Sequence, residues 1–234
     1  ISKLAKNSVK VCLTGDGADE LFGGYARYHY SSSLNKLPKS ILPILKFLLT
    51  KFNIKLSYNI FFLINQYIYK YSNIDLTYSR YLKIINIIKK DNFEEIYNDL
   101  ISIWKEDETL SLMKNYNNFD SINWQDYQNI KSNVNKMMAL DIMHYLPNDI
   151  LVKVDRASMY NSLETRLPFL DHEVFNLSWQ IDEKLKINKG SNKVILRSLL
   201  SKYLPDELIF NQKKGFSIPV DKWLKGPLKS WSVD

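Results

Sequence analysis

Acidic residues and glycines are concentrated in one short stretch near the start of the chain, residues 11–25 (VCLTGDGADELFGGY). Glycines in such a stretch let backbone N–H groups come close to an anion. Asp16, Asp19 and Glu20 would repel a phosphate unless a divalent cation lay between them, and Mg²⁺ binds through one or two carboxylates plus phosphate oxygens. The same residues also suit a simple Asp-Gly turn in which Asp16 or Asp19 caps a helix. Because short Gly/Asp signals are weak, these residues alone leave both interpretations open.

Two later stretches hold charged residues that could take part in the same chemistry. Lys213 and Lys214 precede a glycine in the loop sequence QKKGF, where a lysine could neutralise a leaving phosphate, although a solvated pair is the simpler interpretation. Residues 154–173 mix charged and apolar side chains, which is typical of ion pairs at the edge of a core. An arginine there could alternatively clamp a carboxylate substrate. The charged residues of interest are Asp155, Arg156, Glu164, Arg166 and Asp171.

One cysteine and three histidines are the remaining candidates for chemistry. Cys12 is the only cysteine, so no intrachain disulfide can form, and its apolar surroundings predict a small buried thiol. His29, His144 and His172 have no metal-ligand spacing, and we interpret them as structural or surface residues.

The elements that would position these residues are mostly helices. Residues 9–13 predict a short buried strand, residues 14–17 a turn, and ADELFGG a helix that ends or bends at Gly23–Gly24. Four apolar stripes with helical spacing, at residues 41–52, 61–71, 81–88 and 93–104, are assigned to the core, and residues 115–123 to an Asn-rich connector. A lone buried strand is not stable, so we expect its sheet partners to lie outside this chain.

The second half of the chain is also predicted to be helical. We expect helices over residues 124–145 and 149–161, separated by Leu146, Pro147 and Asn148, and an extended, partly buried loop over residues 163–171. Ser191 looks like the N-cap of a helix over residues 192–202. A loop at residues 211–219 and a helical turn over VDKWL follow. The predicted fold is therefore mainly α-helical, with one or a few strands at the N-terminal end.

Composition narrows the functional classes. The 234 residues are 45% hydrophobic with a formal net charge of +7, but the lysines are dispersed and form no dense basic run, so we do not expect a nucleic-acid partner. The longest uncharged stretch, residues 56–69, is too short and too polar to span a bilayer. A single cysteine fits a reducing cytoplasm.

Three stretches, in this order, resemble the synthetase domain of glutamine-dependent asparagine synthetases. The first is TGDGADELFGGY at residues 14–25, which is similar to the family's strand followed by S/T-G-(E/D)-G-x-D-E-L/V-F-G-G-Y. The second is YLPNDILVKVDRASMYNSLETRLPFLDHE at residues 145–173, and the third is NQKKGFSIPVDKWLKGPL at residues 211–228. Residues 31–123 resemble the family only as generic helix.

The resemblance implies an ATP-pyrophosphatase reaction. Aspartate would attack the α-phosphate of MgATP to give β-aspartyl-AMP, and glutamine-derived ammonia would then displace AMP. By matching positions, Thr14, Gly15 and Gly17 would contact the nucleotide, Asp16 would lie beside the acyl-adenylate and Asp19 would bind Mg²⁺. Lys213 would stabilise the transition state that releases pyrophosphate. Asp155, Glu164 and Arg166 would have supporting, structural roles.

The same resemblance implies that residues 1–234 are the C-terminal part of an α/β ATP-pyrophosphatase domain of the adenine nucleotide alpha hydrolase type. We expect the glutaminase domain and the Ser-Gly-Gly-x-Asp-Ser phosphate loop upstream of Ile1, and we expect residues 1–234 alone to be inactive. A homodimer is left open. Two alternatives remain: a relative that amidates or cyclises a sugar or peptide carboxylate, and a non-catalytic helical interaction module. An acidic Asp16 favours an amidotransferase over a β-lactam-forming relative.

Overall fold

A computed structural model describes the chain at residues 1–29, 47, 85–90, 92–102, 104, 106–113, 122–188, 190–209 and 219–233. The chain divides into two compact units, Ile1–Leu196 and Arg197–Asp234. The described residues are mainly helical with a few short strands, as the sequence predicts. Residues 211–218, and the predicted stripes at residues 41–52 and 61–71 apart from Phe47, lie outside the described residues.

Helices dominate the described residues of the first unit. In chain order they are α1 (Ser2–Lys6), α2 (Ala18–Phe22), α3 (Phe93–Ile101), α4 (Glu106–Leu112), α5 (Asn133–Leu140), α6 (Val152–Met159), α7 (His172–Gln180), α8 (Glu183–Lys186) and α9 (Val194–Leu200), the last of which continues into the second unit. Residues 85–89 are also helical. Two 3₁₀ turns, Trp124–Tyr127 and Pro168–Leu170, and a π-helix, Asp141–Leu151, join them.

The predicted strand forms, but the prediction that its partners lie outside the chain was wrong for one of them. Strand β1 (Val11–Leu13) pairs in parallel with β2 (Glu164–Arg166), which the sequence analysis had placed in a loop. Val11 and Leu13 are 45% and 73% exposed, and Cys12 is only half-buried, so the prediction of a buried strand and a buried thiol was also wrong.

A tyrosine- and methionine-rich cluster forms the core of the first unit. It gathers buried side chains from the segment after α2, from α3, from the 3₁₀ turn and from α5: Tyr28, Tyr97, Tyr127, Val134, Met137, Met138, Leu140 and, from β3, Ile187. Tyr97 belongs to the fourth apolar stripe, which confirms that part of the core prediction. Trp104, which we assigned to the same stripe, is 61% exposed and was wrongly placed in the core.

The predicted break at Leu146, Pro147 and Asn148 does not occur. The π-helix Asp141–Leu151 contains Pro147 and continues directly into α6. Proline removes a backbone donor and clashes with the preceding turn of an α-helix. The wider π-helical turn accommodates the ring, and the Asn148 side chain donates a hydrogen bond to the carbonyl oxygen of His144 (2.8 Å).

The predicted helix cap at Ser191 is replaced by a small hairpin. Strands β3 (Ile187–Asn188) and β4 (Ser191–Asn192) pair antiparallel, and helix α9 begins only at Val194. Because Ser191 and Asn192 are engaged in this pairing, neither begins the helix. The hairpin is important for the site described below, because β4 leads directly into Lys193.

Besides the end of α9, the described residues of the second unit form the short helices α10 (Asp206–Ile209), α11 (Val220–Lys225) and α12 (Lys229–Val233). Arg197 donates a hydrogen bond to the carbonyl oxygen of Ile209 (2.8 Å), which ties the start of this unit to α10. Helix α11 confirms the helical turn predicted over VDKWL.

Candidate functional site

A strand, a glycine turn and a short helix bring the first group of predicted site residues together. β1 leads into Thr14, whose N–H donates to the carbonyl oxygen of Arg166 (2.9 Å) and extends the pairing with β2. Gly17 is the N-cap of α2, with φ of +89°, and no side chain caps this helix. The capped-turn interpretation is therefore wrong in its central point, because neither Asp16 nor Asp19 acts as the cap.

Different structural constraints apply to Gly15 and Gly17 of this turn. Gly17 adopts a left-handed conformation, and a Cβ there would lie 2.5 Å from Cδ2 of Leu170, so both backbone and packing require glycine. A Cβ on Gly15 would meet nothing within 4 Å among the described residues, and its φ is not in the left-handed region. Packing within the described part of the chain therefore gives no reason for glycine at position 15.

Thr14 contributes a polar atom that the described residues leave without a partner. Its Oγ1 is buried, and no hydrogen-bond partner for it is found within the described part of the chain. Buried hydroxyl groups are normally satisfied, since leaving one unpaired costs about 1–3 kcal/mol. This oxygen stands next to Gly15, at the position where the turn is open.

The three acids of the motif have different surroundings. Glu20 is 1% exposed and accepts a hydrogen bond from the Tyr25 hydroxyl at 2.5 Å. Burial raises the pKa of Glu20 above its usual value, while the hydrogen bond from Tyr25 opposes that shift. Asp16 and Asp19 are only partly buried. Glu20 is therefore buried within the protein, whereas Asp16 and Asp19 remain partly exposed.

Asp19 is ion-paired in this structure. The Lys193 ammonium lies 3.0 Å from Oδ1 of Asp19, and the two side chains are 20% and 25% exposed respectively. A Cβ on Gly24 would overlap the Asp19 carboxylate and Cε of Lys193, so glycine at position 24 makes room for the pair. Sequence reasoning missed Lys193, because a lysine far along the chain carries no signal of which carboxylate it reaches.

A buried carboxylate that the sequence analysis did not single out anchors the segment after α2. Asp141 is fully buried; it accepts hydrogen bonds from Tyr28 and Tyr97 (2.9 Å for Tyr97) and pairs with Arg27 at 2.8 Å. Burial raises the pKa of Asp141, and the nearby Arg27 guanidinium lowers it. Arg27 also lies over the ring of Tyr25, 4.0 Å from its centre. The available signal was an acid directly after the apolar residues of α5, at the first position of the π-helix.

The other predicted site residues are spread over the chain. Lys213 and Lys214 lie outside the described residues. Glu164 and Arg166 form an ion pair at 2.5 Å, with side chains that are 50% and 69% exposed, and so fit a structural role at the edge of the sheet.

Two histidines contact polar side chains: His29 with Asn192, and His144 with Tyr127 (3.0 Å). His172 is exposed in the first turn of α7, so each of the three has a structural or surface position, as predicted.

Comparison with known families identifies the chain. The model of the family described as asparagine synthase matches residues 1–234, the whole chain. The chain belongs to the asparagine synthase family. This membership confirms the resemblance inferred from the three motifs.

Curated members of the asparagine synthase family match over nearly the whole chain. It is 29% identical to asparagine synthetase [glutamine-hydrolyzing] 1 of Bacillus subtilis over 240 residues, and 30% identical to a putative asparagine synthetase [glutamine-hydrolyzing] of Mycobacterium bovis over 234 residues. Each match covers 99% of this chain but 34% and 33% of the relative. The chain thus spans about a third of the length of these relatives. No solved structure gives a significant match.

Two further observations concern metal and membrane sites. Among the described residues, no group of three or more His, Cys, Asp or Glu side chains is arranged to hold a metal ion. Within the same residues, no helix combines the length and apolar character needed to cross a bilayer. A cation at Asp19 would therefore need ligands beyond the described side chains. Nucleotide phosphates are such ligands, because Mg²⁺ in nucleotide sites takes one or two carboxylates and completes its shell with phosphate oxygens and water.

Proposed function

We propose that this chain supplies part of the active site of an ATP-dependent amide-forming ligase that converts aspartate to asparagine. The β-carboxylate of aspartate attacks the α-phosphate of ATP, pyrophosphate leaves, and ammonia derived from glutamine displaces AMP from β-aspartyl-AMP. Family membership supports amide formation as the class of reaction. The α/β ATP-pyrophosphatase fold, completed by a phosphate loop and a glutaminase domain outside residues 1–234, is part of the same proposal.

The observation that carries the proposal is the open turn at Thr14 and Gly15. A glycine that packing does not require, beside a buried hydroxyl with no partner among the described residues, fits the close approach of a ligand that accepts or donates a hydrogen bond there. A nucleotide phosphate or ribose has suitable groups. Gly17 keeps the turn in the conformation that leads into α2.

The partly exposed acids then take separate roles. Asp19 would hold Mg²⁺, which would supply positive charge to stabilise the nucleotide phosphates. Asp16 lies beside the reacting acyl group. Lys213, from the segment outside the described residues, stabilises negative charge on the departing pyrophosphate. Glu20 has no catalytic role in this scheme, because it is buried against Tyr25.

Aspartate-dependent exchange of pyrophosphate into ATP, measured on the intact protein, tests the proposal. Asp19→Asn should abolish the exchange, whereas Asp126→Asn, at an exposed position on the 3₁₀ turn Trp124–Tyr127, should leave it unchanged. Retained exchange in the Asp19 variant would remove Asp19 as the metal ligand. Exchange that required a sugar or peptide carboxylate in place of aspartate would reassign the acceptor and keep the reaction class.

A further inference from the structure

The 3₁₀ turn Pro168–Leu170 contacts both ends of α2. At the start of the helix, the Leu170 side chain packs directly against the backbone of Gly17. At its end, the buried ring of Phe22 meets the ring of Phe169 edge-on, with the ring centres 5.9 Å apart. Helix α7, which follows the 3₁₀ turn, also packs against α2. The 3₁₀ turn therefore supports this short helix along its whole length.

The chain on both sides of the 3₁₀ turn sets its position. Before it, β2 pairs with β1, and the carbonyl oxygen of Arg166 accepts a hydrogen bond from the Thr14 N–H at 2.9 Å. Pro168 fixes its own φ and restricts the backbone of Leu167, so the step from strand to 3₁₀ turn has little freedom. After it, the Asp171 side chain caps α7 by accepting a backbone hydrogen bond. The support is thus held at both of its ends.

The contact between Leu170 and Gly17 fills the space that a side chain at position 17 would need. Cδ2 and Cγ of Leu170 lie 2.5 and 3.1 Å from the point where a Cβ on Gly17 would stand. Glycine adopts the φ of +89° freely, but it also has more freedom than any other residue to leave a given conformation. An apolar side chain packed on this glycine therefore limits movement of residues 14–17, which we call the site turn.

We propose that Leu170 is a positioning residue for nucleotide binding: its packing on Gly17 keeps the site turn in the conformation that the nucleotide contacts. This inference rests on the proposed function, in which Thr14 and Gly15 contact the nucleotide. Leu170 itself touches no part of the substrates in this scheme and acts only through Gly17.

Hydrogen exchange of backbone amides, measured on the intact protein, tests the positioning step without any nucleotide. The N–H of Ala18 donates to the carbonyl oxygen of Gly15 (3.3 Å) and closes the site turn, so its exchange reports opening of that turn. Leu170→Ala should speed this exchange several-fold, because the methyl groups that cover Gly17 are lost. Val134→Ala, which truncates a buried core residue of α5, is the matched control. It should lower global stability and leave the exchange of the Ala18 amide unchanged.

The steady-state constants of aspartate-dependent pyrophosphate exchange test the consequence for binding. A contact made equally in the ground state and the transition state changes KM and leaves kcat in place. Leu170→Ala should therefore raise the KM for ATP about tenfold, the factor that corresponds to re-ordering the backbone of about one residue on binding. The kcat and the KM for aspartate should stay nearly unchanged. A merely structural role would reduce the amount of active protein without raising the KM for ATP.

A conservative variant and the core control complete this assay. Leu170→Met keeps the apolar volume, so its KM for ATP should lie within about twofold of wild type. Val134→Ala should leave the KM for ATP unchanged. A Leu170→Met protein with the same raised KM as Leu170→Ala would overturn the role of packing at this position.

Gly17→Ala tests the contact itself through a double-mutant cycle in urea denaturation. In the wild-type background, Leu170→Ala removes a favourable contact and should lower the free energy of unfolding. In the Gly17→Ala background it removes the clash with the added methyl group, so it should raise the free energy of unfolding or leave it unchanged. An equal loss in both backgrounds would show that the two positions do not interact, and the proposal would fall.

Gly15→Ala in the exchange assay separates failure of this inference from failure of the proposed function. If Gly15→Ala reduces pyrophosphate exchange while Leu170→Ala keeps the wild-type KM for ATP and the wild-type Ala18 hydrogen exchange, the positioning role is wrong and the nucleotide contact stands. If Leu170→Ala speeds the Ala18 hydrogen exchange but neither variant alters the kinetic constants, the nucleotide does not contact the site turn and both ideas fall.

Leu170→Val covers the case in which Leu170→Ala does not fold. Valine keeps part of the apolar contact but is one methylene shorter, so it should raise the KM for ATP and speed the Ala18 hydrogen exchange, each by about two- to threefold. A Leu170→Val protein with wild-type values for both measurements would overturn the proposal.

Discussion

Substitution of Gly15 by alanine tests whether this glycine is required for packing or for the approach of a ligand. In the described structure the added methyl group meets nothing within 4 Å, and the backbone is not in the left-handed region. Replacing glycine by alanine at such a position reduces the entropy of the unfolded chain and stabilises a protein by about 0.4–1 kcal/mol. We therefore expect Gly15→Ala to fold at least as stably as wild type.

The same substitution at Gly17 is the matched contrast. Here φ is +89°, and a Cβ would lie 2.5 Å from Cδ2 of Leu170. The left-handed conformation alone costs a residue with a Cβ about 1–2 kcal/mol, and the displaced leucine adds to that cost. Gly17→Ala should therefore lower the free energy of unfolding by about 2 kcal/mol or more.

The order of the two variants in catalytic activity should differ from their order in stability. If the nucleotide approaches the backbone at Gly15, the methyl group displaces it by about 1 Å, and misplacement of that size can reduce the rate about 100-fold. The assays are urea denaturation and aspartate-dependent exchange of pyrophosphate into ATP. Wild-type exchange by a stable Gly15→Ala protein would refute the argument, since nothing would then require glycine at that position.

Three further predictions concern the scaffold around the site. Asp141→Asn should lower the free energy of unfolding by about 3 kcal/mol in urea denaturation, because it leaves the buried guanidinium beside it without its counter-charge. Glu20 has a raised pKa in the folded state, so its carboxyl group binds a proton more tightly in the native protein than in the unfolded chain. The free energy of unfolding therefore decreases as the pH rises from about 4.5 through the raised pKa. Glu20→Gln should remove that loss, so its stability relative to wild type should increase with pH over this window; a constant difference would contradict the burial argument. Asn148→Ala should cost about 1 kcal/mol in the same denaturation assay, because the carbonyl oxygen of His144 loses its side-chain donor near the proline.

Local chemistry made part of the fold predictable. The α2 helix and its end at Gly23 follow from acids in the first turn and a glycine pair, and the structure has Gly23 at φ +71° as the C-cap. Strand β2 escaped prediction because Glu-Thr-Arg has two exposed charged residues and pairs with a distant segment. Its strand character comes from the partner and not from its own side chains. The helix through Pro147 was not predicted because the local rule that a proline ends a helix does not hold in the π-helical turn that contains it.

The residue types of the candidate site were partly predictable from the sequence, whereas the contacts between these residues were not. The resemblance assigned roles to Asp16 and Asp19 and none to Glu20, but the burial of Glu20 against Tyr25 could not be read from the motif. The ion pair of Asp19 with Lys193 depends on where a two-strand hairpin places one lysine. The spacing of residues along the sequence does not indicate such a contact.

The two flanks of α2 are held by different interactions, and this difference bears on how the site can be altered. On the C-terminal side the structure is closely tied to its surroundings, through Glu20 and Tyr25, through the buried carboxylate of Asp141, and through the hairpin at Gly24. On the N-terminal side the described contacts of the turn are mainly backbone hydrogen bonds, from Thr14 to β2 and from Ala18 to Gly15, together with the close packing of Gly17 against Leu170. Substitutions on the C-terminal side should therefore reduce stability first and activity as a consequence. Substitutions at Thr14 and Gly15 should reduce activity first, because few contacts of the described protein depend on them.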